Sequence, residues 1–233
     1  YNKVVEKVVA FHNTSSSILV TTPTIKKQLE EWGVTKPIHL FTRGIEQSKF
    51  YLRKDKTPLE ELSSLKRPIA LYVGRIAVEK NIKDFLDMKW DGSKIVVGQG
   101  PDHNSLKRKY KNILFTGKKT GTDLAKYYRG ADVFVFPSKT DTFGMVIIEA
   151  LACGIPIAAY PVAGPQDIVT EDFLGALDND LATAAQKALQ HDIKEKDAIK
   201  LKRAEYTKEH YTWKKAAEQF IAACPTSDKQ ESA

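Results

Sequence analysis

Two acidic residues, Asp141 and Glu149, lie eight positions apart around the predicted start of a helix near Gly144. The N–H groups of Phe143, Gly144 and Met145 would carry about half a positive charge at that start, which favours an anion. Glu149 interrupts an apolar helix face, and a buried carboxylate there needs a donor such as a ribose hydroxyl. The alternative is a helix capped by Asp141 or the next residue, with Glu149 exposed. The apolar surroundings of Glu149 favour the ligand site.

A second group of polar residues follows a buried strand pattern in the middle of the chain. Gly74 allows the backbone to turn sharply where this strand ends, and Arg75 and Lys80 follow in the loop. A guanidinium fork and an ammonium group both suit phosphate oxygens. The alternative is a weak surface ion pair of these cations with Glu79, and both interpretations stay open at this point.

A third loop, Gly-Gln-Gly-Pro at 98–101, follows the next strand pattern along the chain. The dinucleotide-binding fingerprint requires a third glycine, and His103 stands at that position instead. We therefore predict a tight turn before a helix, not a nicotinamide site. The backbone of this turn, with Gly100, would border a ligand pocket.

Short β-branched segments alternate with amphipathic segments from Pro68 onward. The pattern predicts strands at 69–73, 95–97, 113–115, 133–136 and 155–159, and helices at 82–88, 104–110, 123–128 and 145–153. Such alternation is typical of an α/β fold with a Rossmann-like, doubly wound parallel sheet that helices cover on both faces. Ligands of such folds bind at the carboxyl ends of the strands, where the loops described above would meet.

The two ends of the chain differ from this central region. Residues 1–45 contain two helix patterns and two strand patterns, and residues 46–67, rich in Lys, Glu and Ser, are predicted to be a linker. After Gly175 the sequence predicts only helices, at 181–189, 193–206 and 213–224. We therefore divide the chain into 1–45, the linker 46–67, a main domain at 68–212 and a closing helix with a tail at 213–233.

Composition excludes several classes of protein. The 233 residues are 42% hydrophobic and 28% charged, which is typical of a globular chain and not of a disordered one. The two cysteines are too few for a disulfide scaffold or a thiolate zinc cluster, and no apolar run approaches the roughly 20 residues of a membrane span. Because the chain opens on Tyr1 without a visible signal sequence, we expect a fragment or a processed product.

Basic residues exceed acidic ones by 36 to 29, which gives a net charge of +7 and suggests an anionic ligand or surface. Residues 102–129 contain eight basic and two acidic side chains. They are either a solvated face or a surface for an anionic lipid leaflet, and no nucleic-acid reader motif accompanies them. An Asp-Asn-Asp sequence at 178–180 suggests a divalent metal site, but it directly precedes a helix pattern, which favours a helix cap.

Four motifs in a fixed order resemble one known family. They are Gly-Arg-x3-Glu-Lys at 74–80, Gly-x-Gly-Pro at 98–101, the segment 131–138, and Asp-x7-Glu at 141–149 followed by Ala-Leu-Ala-Cys-Gly-Ile-Pro. This set, spread over about 20–167, resembles the donor-binding half of retaining, nucleotide-sugar-dependent glycosyltransferases of the GT-B fold, family 4. The usual family pattern has Glu at both ends of the eight-residue spacing, and here the first is Asp141.

The resemblance implies a role for each candidate residue. Arg75 and Lys80 would bind the diphosphate, Asp141 would orient the donor sugar and Glu149 would bind the ribose. Amide groups at the helix start would meet phosphate and sugar oxygens, and the loop after the 113–115 strand would border the nucleobase. The substrate-binding set implied in this way is Gly74, Gly100, Gly117, Lys118, Phe143, Gly144, Met145 and Glu149.

The resemblance also implies the activity and the organisation of the whole protein. A hexose would pass from a UDP- or GDP-linked sugar to a lipid or glycan acceptor, with retention and without a metal or other cofactor. Residues 1–45 would be the end of a first Rossmann-like domain, so the isolated chain would be inactive without the upstream acceptor domain. We expect a cytoplasmic protein of glycan biosynthesis, peripheral at the inner face of the membrane, with no nucleic-acid partner.

Two other functions remain open from the sequence. One is a different enzyme on the same two-domain plan, such as a nucleotide-sugar epimerase or a phosphorylase-like enzyme. The other is a non-enzymatic module whose basic surface binds a membrane or a nucleic acid.

Overall fold

A computed structural model describes residues 2–53, 60–190 and 196–224 of the chain. The strands are β1 (Ile18–Val20), β2 (Ile38–Leu40), β3 (Ile69–Val73), β4 (Ser93–Val97), β5 (Leu114–Gly117), β6 (Val133–Phe136), β7 (Ile157–Ala159) and β8 (Gly175–Leu177). The helices are α1 (Asn2–His12), α2 (Pro23–Glu31), α3 (Glu60–Ser63), α4 (Ile82–Asp87), α5 (His103–Lys109), α6 (Gly121–Gly130), α7 (Met145–Ala152), α8 (Pro165–Ile168), α9 (Leu181–Gln190), α10 (Lys196–His210) and α11 (Trp213–Ala223).

The chain forms two compact units. The larger unit is Ile45–His210, and the smaller unit joins Tyr1–Gly44 to Tyr211–Ala233. In the larger unit, six parallel strands form one sheet in the order β5-β4-β3-β6-β7-β8. The chain moves outward from β3 to β5, returns to β6 beside β3, and then moves outward the other way. The predicted doubly wound α/β fold is confirmed, and its topological switch point lies between β3 and β6.

The central strands are buried because helices cover both faces of the sheet. Every residue of β3 and β6 is buried, so both strands are nearly continuous apolar sequences without the alternation of a half-exposed sheet. Phe85 of α4 and Phe134 of β6 are fully buried. This packing fixes the ends of β3 and β6, and therefore the origins of the loops that carry most of the predicted site.

The expectation that only helices follow Gly175 is wrong. β8 begins at this residue and pairs with β7 as the edge strand of the sheet. A Cβ atom at Gly175 would lie 2.1 Å from the carbonyl oxygen of Ile157, so the two backbones approach more closely than any side chain allows. The predicted helix at 193–206 corresponds to α10, which continues to His210, and residues 193–195 lie outside the described residues.

The predicted linker contributes buried side chains to the larger unit. Phe50 is buried, and Leu62 of the short helix α3 is buried as well. Residues 54–59 of this segment lie outside the described residues. The functional division of the chain at 45, 67 and 212 stays a prediction.

The smaller unit is built around the parallel pair of β1 and β2. Thr22 caps α2, since its hydroxyl accepts a hydrogen bond from the N–H of Ile25. The closing helix α11 packs beside the end of β2, where Gln219 Oε1 accepts a hydrogen bond of 2.7 Å from the N–H of Thr42.

Candidate functional site

The two loops with the predicted cations and carboxylate leave neighbouring strands at the switch point. The loop 74–80 follows β3, and the loop 137–144 follows β6. The Thr140 hydroxyl donates to the carbonyl oxygen of Glu79 at 3.3 Å, which joins the two loops. Since ligands of doubly wound folds bind where the strand order reverses, this is the expected place for a site.

Lys80 and Asp141 form an ion pair across these loops. The Lys80 Nζ atom lies 2.5 Å from Asp141 Oδ1, and the side chains are 28% and 26% exposed. An ammonium and a carboxylate are thus held together at the edge of the sheet, partly shielded from water. The structure brings these two predicted residues into direct contact, although they are 61 positions apart in sequence.

Arg75 lies at the beginning of the same loop, with a side chain that is 65% exposed. Its guanidinium is 3.3 Å from the carboxylate of Glu79, so the predicted surface ion pair forms for Arg75, whereas Lys80 pairs with Asp141. Exposed pairs of this kind are weak, and an anion with two oxygens can compete for the guanidinium. The Tyr72 hydroxyl donates to the carbonyl oxygen of Arg75 at 2.7 Å and so fixes the turn. Burial, with the nearby charges of Asp141 and Glu79, raises the pKa of Tyr72, which keeps this donor protonated.

The helix start between Phe143 and Met145 has no side-chain cap from its N-cap residue. That residue is Gly144, whose φ of +87° suits glycine and which has no side chain to offer. The N-cap residue is therefore neither Asp141 nor Thr142, the two residues that the alternative placed there. The ring of Phe143 is buried below the turn, and α7 begins at Met145.

Glu149 lies one turn into α7 and is partly buried. Its Oε2 atom accepts a hydrogen bond of 2.9 Å from the hydroxyl of Tyr128, so the expected alternative of an exposed residue is wrong. Burial raises the pKa of Glu149 to about 7, and the Tyr128 hydrogen bond opposes this rise. The sequence reasoning identified the carboxylate but missed its partner, because Tyr128 fits the apolar side of a helix pattern.

The turn with Gly100 packs against the loop that carries Arg75. A Cβ atom at Gly98 would lie 1.9 Å from the carbonyl oxygen of Gly74, and one at Gly100 would lie 2.2 Å from that of Ile76. The N–H of Ile76 donates to the carbonyl oxygen of Gln99 at 3.1 Å. The two loops therefore contact each other backbone to backbone, at positions where only glycine fits.

The loop after β5 lies on the other side of this turn. Gly117 has a φ of +73°, and its carbonyl oxygen accepts a hydrogen bond of 2.9 Å from the N–H of Gly98. Lys118, the next residue, is exposed. Three successive loops of the sheet, after β3, β4 and β5, are thus connected at its carboxyl edge.

The Asp-Asn-Asp sequence has a structural role. Asp180 Oδ1 accepts a hydrogen bond of 2.7 Å from the N–H of Thr183 and caps α9, while Asp178 pairs with Lys187 at 2.8 Å. Hydrogen bonding to the N–H of Thr183 lowers the pKa of Asp180. The predicted helix cap is confirmed.

The sequence profile described as "Glycosyl transferases group 1" matches residues 54–209, which is 156 of the 233 positions. The chain belongs to the group 1 glycosyltransferases. This confirms the resemblance seen in the four motifs, all of which lie inside the matched region.

Two relatives of this group 1 glycosyltransferase have the names of sugar transferases. Sulfoquinovosyl transferase SQD2 of Arabidopsis thaliana is 30% identical over 234 residues, which cover 91% of this chain and 46% of that protein. A GDP-mannose-dependent alpha-mannosyltransferase of Mycobacterium tuberculosis is 30% identical over 169 residues, which cover 71% and 44% of the two chains. The chain therefore spans less than half the length of either relative.

Solved structures share the fold. Sucrose-phosphate synthase from Thermosynechococcus elongatus superposes with a TM-score of 0.75 at 25% identity and covers 94% of this chain and 60% of that one. HepE from Anabaena, solved with UDP and glucose, superposes with a TM-score of 0.77 at 14% identity, covering 95% and 66%. The GT-B type of α/β fold is thereby established for this chain.

Proposed function

We propose that this chain is the donor-binding portion of a hexosyltransferase that uses a nucleotide diphosphate sugar and retains the anomeric configuration. The observation that carries the proposal is the Lys80–Asp141 pair at the switch point, in the loop that leads to the start of α7. One partner has the charge to bind phosphate oxygens, and the other has acceptors for sugar hydroxyls.

The chemical step breaks the bond between sugar and diphosphate, so negative charge develops on the leaving group. Arg75, Lys80 and the N–H groups at the start of α7 would stabilise this charge in place of a metal ion. Asp141 would orient the sugar, and this positioning supplies a further part of the rate enhancement. The loop packing around Gly74 and Gly100 supports the proposal, because a connected backbone holds the donors in place before the ligand arrives.

The rest of the donor would extend along the connected loops. Glu149 would accept hydrogen bonds from ribose hydroxyls, and Gly117 with Lys118 would border the nucleobase. A UDP- or GDP-linked sugar is favoured because relatives are named GDP-mannose-dependent transferases and a structure of the same fold was solved with UDP.

The acceptor would be a lipid or glycan bound by a domain outside this chain. We assign residues 1–45 to the end of that first domain and α11 to the helix that returns to it, and we expect the isolated chain to transfer little sugar. The limited coverage of the relatives supports this assignment, as does the name of another relative, alpha-monoglucosyldiacylglycerol synthase of Streptococcus pneumoniae.

We further place the protein in the cytoplasm at the inner face of the membrane. Exposed basic side chains support a contact with anionic lipid, at about 1 kcal/mol for each one near the surface. No helix among the described residues is long and apolar enough to span a bilayer. The basic side chains that stay exposed on and near α5 are Lys107, Arg108, Lys109, Lys111 and Lys118.

The test is calorimetric binding of UDP, GDP and ADP to the 233-residue chain and to its Arg75→Ala and Lys80→Ala variants. Because each cation would donate charge-assisted hydrogen bonds, we expect either variant to bind the preferred nucleotide about tenfold more weakly or worse. Lys89→Ala is the matched control, since Lys89 lies between α4 and β4 at the amino edge of the sheet. Affinities that do not change in the Arg75 and Lys80 variants would refute the phosphate role.

A further inference from the structure

The Tyr128 hydroxyl donates a hydrogen bond to the carboxylate of Glu149, the residue that the proposed function assigns to the ribose. The residue is fully buried on α6, and its ring packs edge-on against Phe50 and Phe134, with centroids 6.1 Å and 5.7 Å away. Two rings from different parts of the chain thus fix the plane of the tyrosine and the position of its oxygen. Burial and the adjacent Glu149 raise the pKa of Tyr128 well above its usual value, so the hydroxyl remains a donor.

The hydrogen bond occupies one side of the Glu149 carboxylate. Oε2 accepts from Tyr128 at 2.9 Å, while Oε1 has no hydrogen-bond partner in the parts of the chain that the structure describes. An ionised carboxylate accepts at both oxygens and donates at neither. One oxygen is therefore fixed by the protein, and the other is left to accept from a hydroxyl group.

We infer that Tyr128 is a positioning residue: its hydroxyl holds Glu149 Oε2, so that Oε1 is presented to the ribose hydroxyls of the donor nucleotide. This inference rests on the proposed function and adds a residue that touches neither phosphate nor sugar. It differs from a packing role because it requires the oxygen atom of Tyr128 and not only its ring.

Ionisation of Glu149 gives the inference a measurable signature. The pKa of this carboxyl is about 7, because burial raises it while the Tyr128 hydrogen bond lowers it. Cys153, the residue that follows α7, interacts with Glu149, and burial raises the pKa of its thiol to about 12, so the thiol is uncharged. Arg129 of α6 interacts with that thiol. Loss of the Tyr128 hydroxyl therefore favours the protonated form of Glu149, which no longer accepts through both oxygens.

The experiment compares Tyr128→Phe with Tyr127→Phe by calorimetry of UDP, GDP and inorganic pyrophosphate from pH 6 to pH 9. Tyr127 is a matched control because it is also buried on α6 and donates to a carboxylate, that of Glu61 in the preceding segment. In Tyr128→Phe we expect the pH midpoint of nucleotide binding to rise by about one pH unit, which is about a fivefold loss of affinity at pH 7. Pyrophosphate has no ribose, so its affinity should not change, and neither should any affinity of Tyr127→Phe.

Each outcome decides the inference. A Tyr128→Phe profile identical to that of Tyr127→Phe would overturn it and leave the proposed function standing. An equal loss for pyrophosphate would also overturn it, since the variant would then have disturbed the whole site. If the wild-type chain binds no nucleotide at any pH, the proposed function fails and the inference fails with it.

A second substitution covers the case in which Tyr128→Phe does not fold. Incorporation of 3-fluorotyrosine at position 128 keeps the ring and makes the hydroxyl a stronger donor. The midpoint of nucleotide binding should then move to lower pH, with pyrophosphate again unaffected. An unchanged midpoint would contradict the inference.

Discussion

Replacement of Glu149 by Gln isolates the free-energy cost of a carboxylate in an apolar environment. Glutamine keeps the shape of the side chain and an acceptor for the Tyr128 hydroxyl, but it carries no charge. Because the carboxylate is partly buried beside α6, the wild-type protein must either keep it protonated or accept an unfavourable charge. The glutamine side chain has no charge and no proton to lose, so the free energies of unfolding of the two proteins should depend differently on pH.

The sign and size of the effect follow from the pKa. In the unfolded chain the group titrates near the ordinary glutamate pKa of 4.5, whereas in the folded protein burial raises the pKa of Glu149 to about 7. Between these values the folded state binds more protons, so this group's contribution to stability is complete below the lower value and is lost as pH rises through the higher one. The difference of about 2.5 pH units corresponds to a loss of about 3 kcal/mol, which the Glu149→Gln variant should not show.

Urea unfolding of both proteins at several pH values from 4.5 to 8 provides the measurement. Relative to wild type, the variant should gain about 3 kcal/mol of unfolding free energy across this range, or about 6–12 °C in melting temperature. Glu171→Gln, which changes an exposed carboxylate in the same unit, is the control and should show no such trend. A constant difference between wild type and Glu149→Gln from pH 5 to pH 8 would show that the carboxylate is solvated, contrary to this reasoning.

Two further substitutions test the packing and charge at the carboxyl edge of the sheet. Gly98→Ala should destabilise the protein in urea unfolding by more than about 2 kcal/mol, because its Cβ would lie 1.9 Å from the carbonyl oxygen of Gly74. Gly117 also has a positive φ, but no atom lies near its Cβ position, so Gly117→Ala should lower the free energy of unfolding by only about 1 kcal/mol. Equal losses for the two variants would contradict the close contact at Gly98. Asp141→Asn removes the counter-charge of Lys80 and should strengthen calorimetric binding of a nucleoside diphosphate a few-fold. Weaker binding would show that Asp141 supports the phosphate site directly.

Much of the fold could be predicted because its central strands are buried on both faces. The predicted strands at 69–73 and 133–136 coincide with β3 and β6, whose apolar runs end at a glycine and at a proline. A strand exposed on one side gives a weaker signal, and β8 was missed because its three residues include a glycine and pair at the sheet edge. Strand order and the close backbone approach at Gly175 depend on tertiary contacts, which local sequence does not encode.

The candidate site could be predicted in its residue types but not in its pairings. The alternation of strands and helices placed Lys80 and Asp141 on the same edge of a sheet, yet their contact needs β3 and β6 to be neighbours. Local spacing also suggested that Glu149 needs a hydroxyl partner. It did not identify Tyr128, because the relative rotation of α6 and α7 decides which side chain reaches the carboxylate.

The ion pair between Lys80 and Asp141 has a consequence for the choice of ligand. An approaching anion meets a Lys80 ammonium whose charge Asp141 already neutralises. The anion must therefore replace the aspartate as counter-ion, and the ion pair adds little to the long-range attraction of anions. A bare orthophosphate that displaces the aspartate leaves a shielded carboxylate without a partner, which is unfavourable. A molecule with a hydroxylated ring attached to its phosphates can satisfy both groups at once, so the pair discriminates against the inorganic phosphate that is abundant in any cell.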